Sequence, residues 1–320
     1  MQQERFVQAH EAEWRSIEHV LGALERGGTV LPTDLPEACR RTSEHLSLAR
    51  HRGYSADLVA RLHDLAMRSH QQLYRRRLDL AGRLLELVRA DIPRACRREA
   101  GLLALSHLLF YGPLLVATLA ILQEPGRVHA VLDPATLGAL EEMYDPEGAH
   151  FLREREADSD LLMFGFYVWN NVGIGFRTFA AGALVGLGPI LILGYNGVVI
   201  GAVFAHLHNV GFGGTLSSFV VGHGSFELTA IVLAGAAGAR LGLAWLVPGA
   251  WSRPEALRRA ATRALPLVQG AGLMLVAAAV IEAFWSSSTL LPAGLKYTVG
   301  AALWLLVYAW LLLGGRRADR

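Results

Sequence analysis

The sequence predicts an all-α fold: a polytopic membrane helix bundle of about six transmembrane helices, preceded by an N-terminal cytoplasmic helical domain. The 320-residue chain is 52% hydrophobic and 18% charged, whereas a soluble domain is normally about 25% charged. Residues 1–99 carry 17 Arg and 14 acidic residues, but residues 161–315 carry only ten charged residues. Apolar stretches of about the ~20 residues that cross a bilayer recur in this second part. The first third is therefore expected in water and the rest in lipid.

Residues 1–99 are predicted to form a basic helical domain. Apolar residues at helical intervals predict an amphipathic helix over 4–26 and further helices over 37–50 and 55–90. The opening segment is charged and amphipathic, so no signal peptide is expected. One buried stripe is predicted on the third helix at Leu58, Leu62, Leu65, Met67 and Leu73. Cys39 and Cys96 are expected to be reduced thiols.

Residues 100–315 are predicted to form the transmembrane domain. The approximate spans are 101–122, 168–187, 189–208, 216–246, 265–286 and 294–313. The run 168–208 is too long for one helix, and Gly186 to Pro189 divide it in two. Asn196 and Gly197 are expected to mark a break in the third span. Between the first two spans lies an acidic extracytoplasmic segment, 123–167, with ten acidic residues and three Arg, and its prolines divide it into short pieces.

The charges of the loops predict the orientation of the chain. Positive residues concentrate on the cytoplasmic side of membrane proteins. With residues 1–99 in the cytoplasm, six spans return the basic loop 247–264 and the basic tail to the same side. Five spans would leave one of these basic segments outside. We therefore expect a multi-pass protein of the bacterial cytoplasmic (inner) membrane with both termini in the cytoplasm.

Polar side chains within the spans are costly unless they have a partner or a role. His223 and Glu227 lie one turn apart on the fourth span, and Glu282 lies near the end of the fifth. Placed by the helical rise, these groups fall in the outer half of the membrane, where they are expected to converge. The candidate polar site comprises Asn170, Asn171, Arg177, Asn196, His206, His223, Glu227 and Glu282.

Two interpretations of this site remain open. In the first, Arg177 forms a buried ion pair with Glu227 or Glu282, and the residues only hold the bundle together. In the second, His223, Glu227 and Glu282 bind a metal ion with His206, and zinc is then the candidate cofactor. The His-x-x-x-Glu spacing differs from the His-Glu-x-x-His of zinc proteases, so no catalytic residue is assigned.

Several short motifs are similar to one known family. Residues 223–228 read His-Gly-Ser-Phe-Glu-Leu, and Asn170-Asn171 open a span. Other motifs are Asn196-Gly197 with Gly201, Gly-Ala-Arg-Leu-Gly at 238–242, Ala-Ala-Val-Ile-Glu at 278–282, and Phe6, Trp14 and Arg40 to Arg50 near the N-terminus. Together they resemble the stage II sporulation protein M family, in the extended form of non-sporulating bacteria.

The resemblance implies a membrane protein that gathers partners. The founding member anchors cell-wall hydrolases at the engulfing septum, and extended relatives often neighbour genes for an AAA-type ATPase. We therefore expect a membrane scaffold or assembly protein, related to the envelope or cell wall. Its expected partners are the lipid bilayer, other membrane or envelope proteins, an AAA-type ATPase system and a second copy of the chain, but not nucleic acid. The alternatives are an intramembrane metal-dependent hydrolase of lipid or peptide, using His223, Glu227 and Glu282, and a transporter.

Overall fold

The computed structural model describes residues 2–26, 35–77, 80–148, 157–183, 187–288 and 290–316. All of the regular elements within these residues are helical, which confirms the predicted all-α fold. The chain divides into two compact units, which we name the N-terminal unit (Met1–Leu85) and the transmembrane unit (Glu86–Arg320).

The N-terminal unit is a helical bundle with its own core. Its helices are α1 (Gln2–Glu25), α2 (Leu35–His51), α3 (Ala56–Arg77) and the start of α4 (Leu80–Glu86). The core includes Phe6, Trp14, Ile17, Leu21, Leu46, Leu58, Leu62 and Leu65. Of the predicted stripe, Leu58, Leu62 and Leu65 are buried, but the prediction for Met67 was wrong, since it is 47% exposed. Met67 lies two residues after Leu65, which turns its side chain to the opposite face of the helix, and the Leu73 side chain lies outside the described residues.

Ion pairs join α1 to the other helices of this unit. Arg61 on α3 bonds to Glu11 at 2.9 Å and Glu18 at 3.0 Å, and Arg68 bonds to Glu25 at 2.9 Å. In the core, the Trp14 indole N–H donates to His45 Nδ1 at 3.1 Å. Apolar packing and ion pairs between helices therefore both hold this unit together.

The transmembrane unit contains the remaining helices. They are α5 (Ile92–Arg98), α6 (Ala100–Gln123), α7 (Pro134–Tyr144), α8 (Ala157–Ala180), α9 (Leu187–Asn209), α10 (Gly213–Leu246), α11 (Arg253–Ile281) and α12 (Ala293–Leu313). Short 3-10 turns span Pro125–Ala130 and Ala181–Ala183, and π-helical turns span Leu87–Asp91 and Glu282–Ser286.

Five of the described helices are long and apolar enough to cross a membrane. They are α6, α9, α10, α12 and α11 with its π-turn. Four of them lie within three residues of a predicted span. Helix α11 instead begins at Arg253, well before the expected start at 265, so most of the predicted basic loop 247–264 is helical. The chain is thus a multi-pass membrane protein with an all-α bundle. Helix α8, the other predicted span, packs against α10 and α11 but is not among the five. It begins at Ala157, well before the expected boundary at 168, so the count of six spans stays a prediction.

Helix α9 is continuous from Leu187 to Asn209, so the expected break at Asn196 and Gly197 was wrong. The Asn196 amide donates to the Ile192 carbonyl at 2.8 Å, within its own helix. A Cβ on Gly197 would lie 2.3 Å from the Phe110 carbonyl oxygen. Gly197 therefore serves close contact with α6, the usual role of small residues between membrane helices.

Helix α10 is the central helix of the bundle. It packs against α6, α8, α9, α11 and α12. Of its most apolar window, 67% is buried within the protein, compared with 17% for α6 and 22% for α12. Residues on α10 are therefore surrounded by other helices to a greater extent than residues on α6 or α12.

The first part of the acidic segment folds against α9. Prolines begin both of its short elements, Pro125–Ala130 and α7, as the sequence predicted. Asp133 caps α7 by accepting the Thr136 backbone N–H at 3.0 Å. It also accepts the Thr136 hydroxyl at 2.6 Å, and the bond from this hydroxyl, followed by that from the backbone N–H, lowers the pKa of the Asp133 carboxyl group. Leu137 on α7 packs in an apolar cluster with Ala202 and Ala205 of α9.

Candidate intramembrane polar site

The centre of the site lies on α10. His223 and Glu227 are one helical turn apart, so they share a face, and His223 Nε2 lies 3.8 Å from Glu227 Oε2. The His223 side chain is 3% exposed and that of Glu227 is 21% exposed. Both side chains thus point into the bundle, with the carboxylate nearer to its edge.

Glu282 reaches the same point from another helix. Helix α11 ends at Ile281, and a π-helical turn continues over Glu282–Ser286. Such turns re-aim side chains and are frequent at functional sites. Ligand atoms of His223, Glu227 and Glu282 all lie within 4.8 Å of one another. We name these three residues the His/Glu cluster.

Two neutral side chains contact the cluster. The Asn171 amide of α8 donates to Glu282 Oε2 at 3.5 Å and is 3% exposed. Ser286 Oγ lies 2.9 Å from His223 Nδ1. Groups from α8, α10 and the π-turn after α11 therefore meet at one buried position.

Sequence reasoning missed Ser286 and Lys296. Lys296 lies in the first turn of α12, is 7% exposed, and donates to the Ser286 carbonyl at 2.8 Å. Both residues carried a signal in the sequence. Ser286 follows Glu282 at helical spacing, and Lys296 is the one lysine of the 320 residues.

The structure does not bring the other predicted site residues to the cluster. Arg177 is exposed and donates to the Gly173 carbonyl at 3.0 Å; among the described residues it makes no ion pair with Glu227 or Glu282. Asn196 bonds within α9. His206 Nε2 lies 2.7 Å from Glu141 of α7. The Asn170 side chain lies outside the description, so its prediction is untested.

The surroundings of the cluster differ at its two ends. Towards the N-terminus of α10, His223 contacts Phe219, which contacts Tyr144 of α7. Towards Arg240, the following turns of α10 carry Ala230, Leu233, Ala234 and Ala237 in a buried apolar core with α11. The polar site therefore lies near the acidic segment and is separated from the arginine-rich end of the helix.

This arrangement of groups suits a cation or a shared proton. Among the described residues, no Arg or Lys lies in ion-pair contact with Glu227 or Glu282. Adjacent buried carboxylates without a positive partner repel each other unless one is protonated or a cation binds. Two ligands of a tetrahedral zinc ion lie ~3.3–3.6 Å apart when metal–ligand bonds are ~2.0–2.2 Å. Side-chain movements of about 1 Å would therefore bring the three residues into ligand positions around one ion.

Comparisons with known proteins identify two regions. The family model Stage II sporulation protein M (SpoIIM) matches residues 106–287, which is more than half of the chain. The model Domain of unknown function (DUF8413) matches residues 4–75. No curated protein and no solved structure matches significantly. The first region includes the whole His/Glu cluster, and the second includes α2 and most of α1 and α3.

Proposed function

The chain belongs to the stage II sporulation protein M family, and from this premise we propose that it is a membrane scaffold or assembly protein. In this proposal the N-terminal unit recruits soluble partners in the cytoplasm, an AAA-type ATPase being one candidate. The acidic segment meets envelope partners on the other side of a bacterial cytoplasmic membrane. The orientation rests on the distribution of basic residues.

The observation that carries the proposal is the separate N-terminal unit. Trp14, Leu21 and Leu62 are fully buried in a core of its own. Its surface also carries exposed ion pairs within single helices, as between Arg40 and Glu37. A unit with a satisfied core and a charged surface is suited to binding and releasing a soluble partner.

Deletion of residues 1–85 tests recruitment. Tagged full-length protein and the deletion variant would be cross-linked in native membranes, purified and compared by mass spectrometry. A chimera in which an unrelated helical bundle replaces the N-terminal unit is the control for size and tag exposure. We expect soluble partners only with the full-length chain; the same partners with the chimera would contradict the proposal.

In this proposal the His/Glu cluster braces the bundle by binding a divalent cation, with zinc as the candidate. One ion bound by His223, Glu227 and Glu282 would join α10 to the end of α11. The hydrogen bond from Asn171 to Glu282 would link α8 to these two helices as well. Metal bonds between helices stabilise a fold directly, because the site exists only in the folded state.

The metal content of the purified protein tests this part. We expect near-stoichiometric metal in the wild type and its loss in His223→Gln and Glu282→Gln. His206→Gln is the matched control, because His206 also contacts a glutamate in the same bundle, at 2.7 Å, and it lies outside the cluster. A metal-free, folded wild type would exclude the brace and leave the recruitment proposal standing.

An intramembrane metal-dependent hydrolase is the second candidate function. The observation in its favour is that three side chains form the cluster, since catalytic zinc sites use three protein ligands and keep a fourth position for water. An enzyme would lose turnover of a lipid or peptide substrate in Glu227→Gln while retaining its partners. A scaffold would retain its partners in this variant and show no turnover in the wild type. The buried apolar core between the cluster and Arg240 does not favour a transporter, which needs a polar path to both faces.

A further inference from the structure

A second polar site lies at the opposite end of α10. A cavity of about 340 Å³ opens between the end of α10 and the start of α11, within the size range of small-ligand sites. Arg240, Arg259 and Arg263 line it together with Val247, Trp251 and Ala260. From Glu227 to Arg240 the helical rise is ~20 Å, so this cavity is distinct from the His/Glu cluster.

Arginine is in excess around the cavity. The Glu99 carboxylate, 3% exposed, accepts a bond from Arg263 and lies 3.6 Å from Arg240 and 3.8 Å from Arg98. One buried carboxylate therefore faces three guanidinium groups.

Arginines also outnumber carboxylates at the start of α11. Glu255 bonds to Arg258 at 2.9 Å and to Arg259 at 2.7 Å. The five arginines and two carboxylates of these two networks leave a net positive charge. Guanidinium groups are suited to phosphate because their planar N–H donors match its oxygens in pairs.

The rim of the cavity is apolar and aromatic. Trp251 is 51% exposed and Val247 is 70% exposed. The Arg259 guanidinium lies 3.6 Å from the Trp251 ring, and Arg253 lies over Trp245. Tryptophan beside arginine at the end of a span is typical of the headgroup layer of a bilayer. The cavity therefore opens where lipid phosphates are concentrated.

We propose that this cavity binds the phosphate group of an anionic phospholipid. Arg240, Arg259 and Arg263 contact the phosphate, and Trp251 and Val247 contact the glycerol and the first part of the acyl chains. A soluble phosphate compound carries the same charged group but has no acyl chains to contact the apolar rim. Basic pockets at the cytoplasmic ends of membrane helices are common sites for anionic headgroups.

Lipid titration of the detergent-purified full-length protein tests the proposal. Native mass spectrometry measures binding of short-chain phosphatidylglycerol and, separately, of phosphatidylcholine. Arg259→Gln and Arg258→Gln form a matched pair, because both arginines bond to Glu255 but only Arg259 lines the cavity. We expect tighter binding of phosphatidylglycerol by the wild type, and a dissociation constant about fivefold higher in Arg259→Gln than in Arg258→Gln. Equal binding of the two lipids, or equal losses in the two variants, would overturn the proposal.

Two further experiments show whether the bound phosphate group belongs to a lipid or to a soluble compound, and whether it binds in the cavity. Inorganic phosphate or glycerol phosphate at millimolar concentration should not displace the lipid; displacement would mean a site for soluble phosphate. Ala244→Phe fills part of the cavity without changing charge, since Ala244 lines it. Loss of phosphatidylglycerol binding in this variant supports the cavity, and unchanged binding would mean that lipid is held only by surface charge.

Discussion

At the scale of single residues, the contact between Ser286 and His223 decides what the imidazole can do. Ser286 Oγ lies 2.9 Å from His223 Nδ1, which leaves Nε2 directed at Glu227 at 3.8 Å. When Nδ1 carries the proton and donates to the serine, Nε2 has a free lone pair. Outer partners of this kind orient metal-binding histidines, so Ser286 is a positioning residue in the proposed site.

Replacement of Ser286 with Ala should weaken metal binding without unfolding the bundle. Loss of an outer hydrogen bond to a histidine ligand usually costs about tenfold or more in metal affinity. Competition titration with a chromophoric chelator measures the affinity, and thermal melting checks the fold. Ser287→Ala is the matched control, since the Ser287 hydroxyl donates to the Ala283 carbonyl. Equal affinities in the two variants would contradict the positioning role.

A second residue-scale prediction concerns His45 in the N-terminal unit. Burial lowers the pKa of His45, and the nearby charge of His10 lowers it further, while Glu13 and Glu44 act in the opposite direction. The unprotonated Nδ1 also accepts the Trp14 N–H. Because the folded-state pKa lies below the unfolded value, this contribution to stability is present above about pH 6.5 and is lost as the pH falls.

Amide hydrogen exchange in the full-length chain measures this effect. After correction for intrinsic exchange, protection of α1 to α3 should decrease between about pH 7.5 and about pH 5.5. His45→Leu should remove most of this pH dependence, whereas His19→Leu, at an exposed position of α1, should keep it. The same pH dependence in both variants would assign the effect to another group.

At the scale of elements, small residues determine how closely α6 and α9 approach. A Cβ on Gly201 would lie 2.3 Å from the Leu114 carbonyl oxygen, as one on Gly197 would from that of Phe110. Thr118 donates to the Gly201 carbonyl at 3.2 Å across the same contact. Close backbone approach gives membrane helices the van der Waals contact that the hydrophobic effect cannot supply in lipid.

Replacement of Gly201 with Leu should separate α6 from α9. The side chain would meet backbone rather than a movable side chain, and overpacking of this kind costs about 1–3 kcal/mol. Gly194→Leu on the same helix is the control, because a Cβ there meets nothing within 4 Å. Thermal melting in detergent should show a lower midpoint only for Gly201→Leu. Equal midpoints would mean that the interface can adjust.

At the scale of the whole molecule, the two ends of the transmembrane unit differ in their chemistry. The His/Glu cluster lies near α7 of the acidic segment, through Tyr144 and Phe219. Glu99 with its arginine partners, and the arginine-lined cavity between α10 and α11, lie at the arginine-rich end of α10. From the positive-inside rule we propose that the arginine-rich end faces the cytoplasm.

Cysteine labelling in intact cells tests this orientation. Ala130→Cys in the acidic segment and Ala250→Cys in the basic loop would be introduced into a Cys39→Ala, Cys96→Ala background. The native thiols are buried, which raises the pKa of Cys96 to about 12, so their removal serves only to lower background. A membrane-impermeant maleimide should label position 130 in intact cells and position 250 only after lysis. The reverse pattern would invert the proposed orientation.

The fold class and the positions of five apolar helices could be predicted from the sequence alone. These properties depend on local composition, because a helix in lipid must satisfy its backbone internally and needs about ~20 apolar residues. The sequence also determined that His223 and Glu227 share a face, since that follows from helical spacing.

Only the tertiary structure decided which polar residues meet. Glu282, Asn171 and Ser286 join His223 and Glu227, whereas His206 turns to Glu141 and Arg177 to the surface. These outcomes depend on the rotation of each helix about its axis and on which neighbours it packs against. The sequence of one helix contains neither quantity. They arise from contacts between segments far apart in the chain, as at the close glycine contacts of α6 with α9 and at the π-turn that directs Glu282 towards α10.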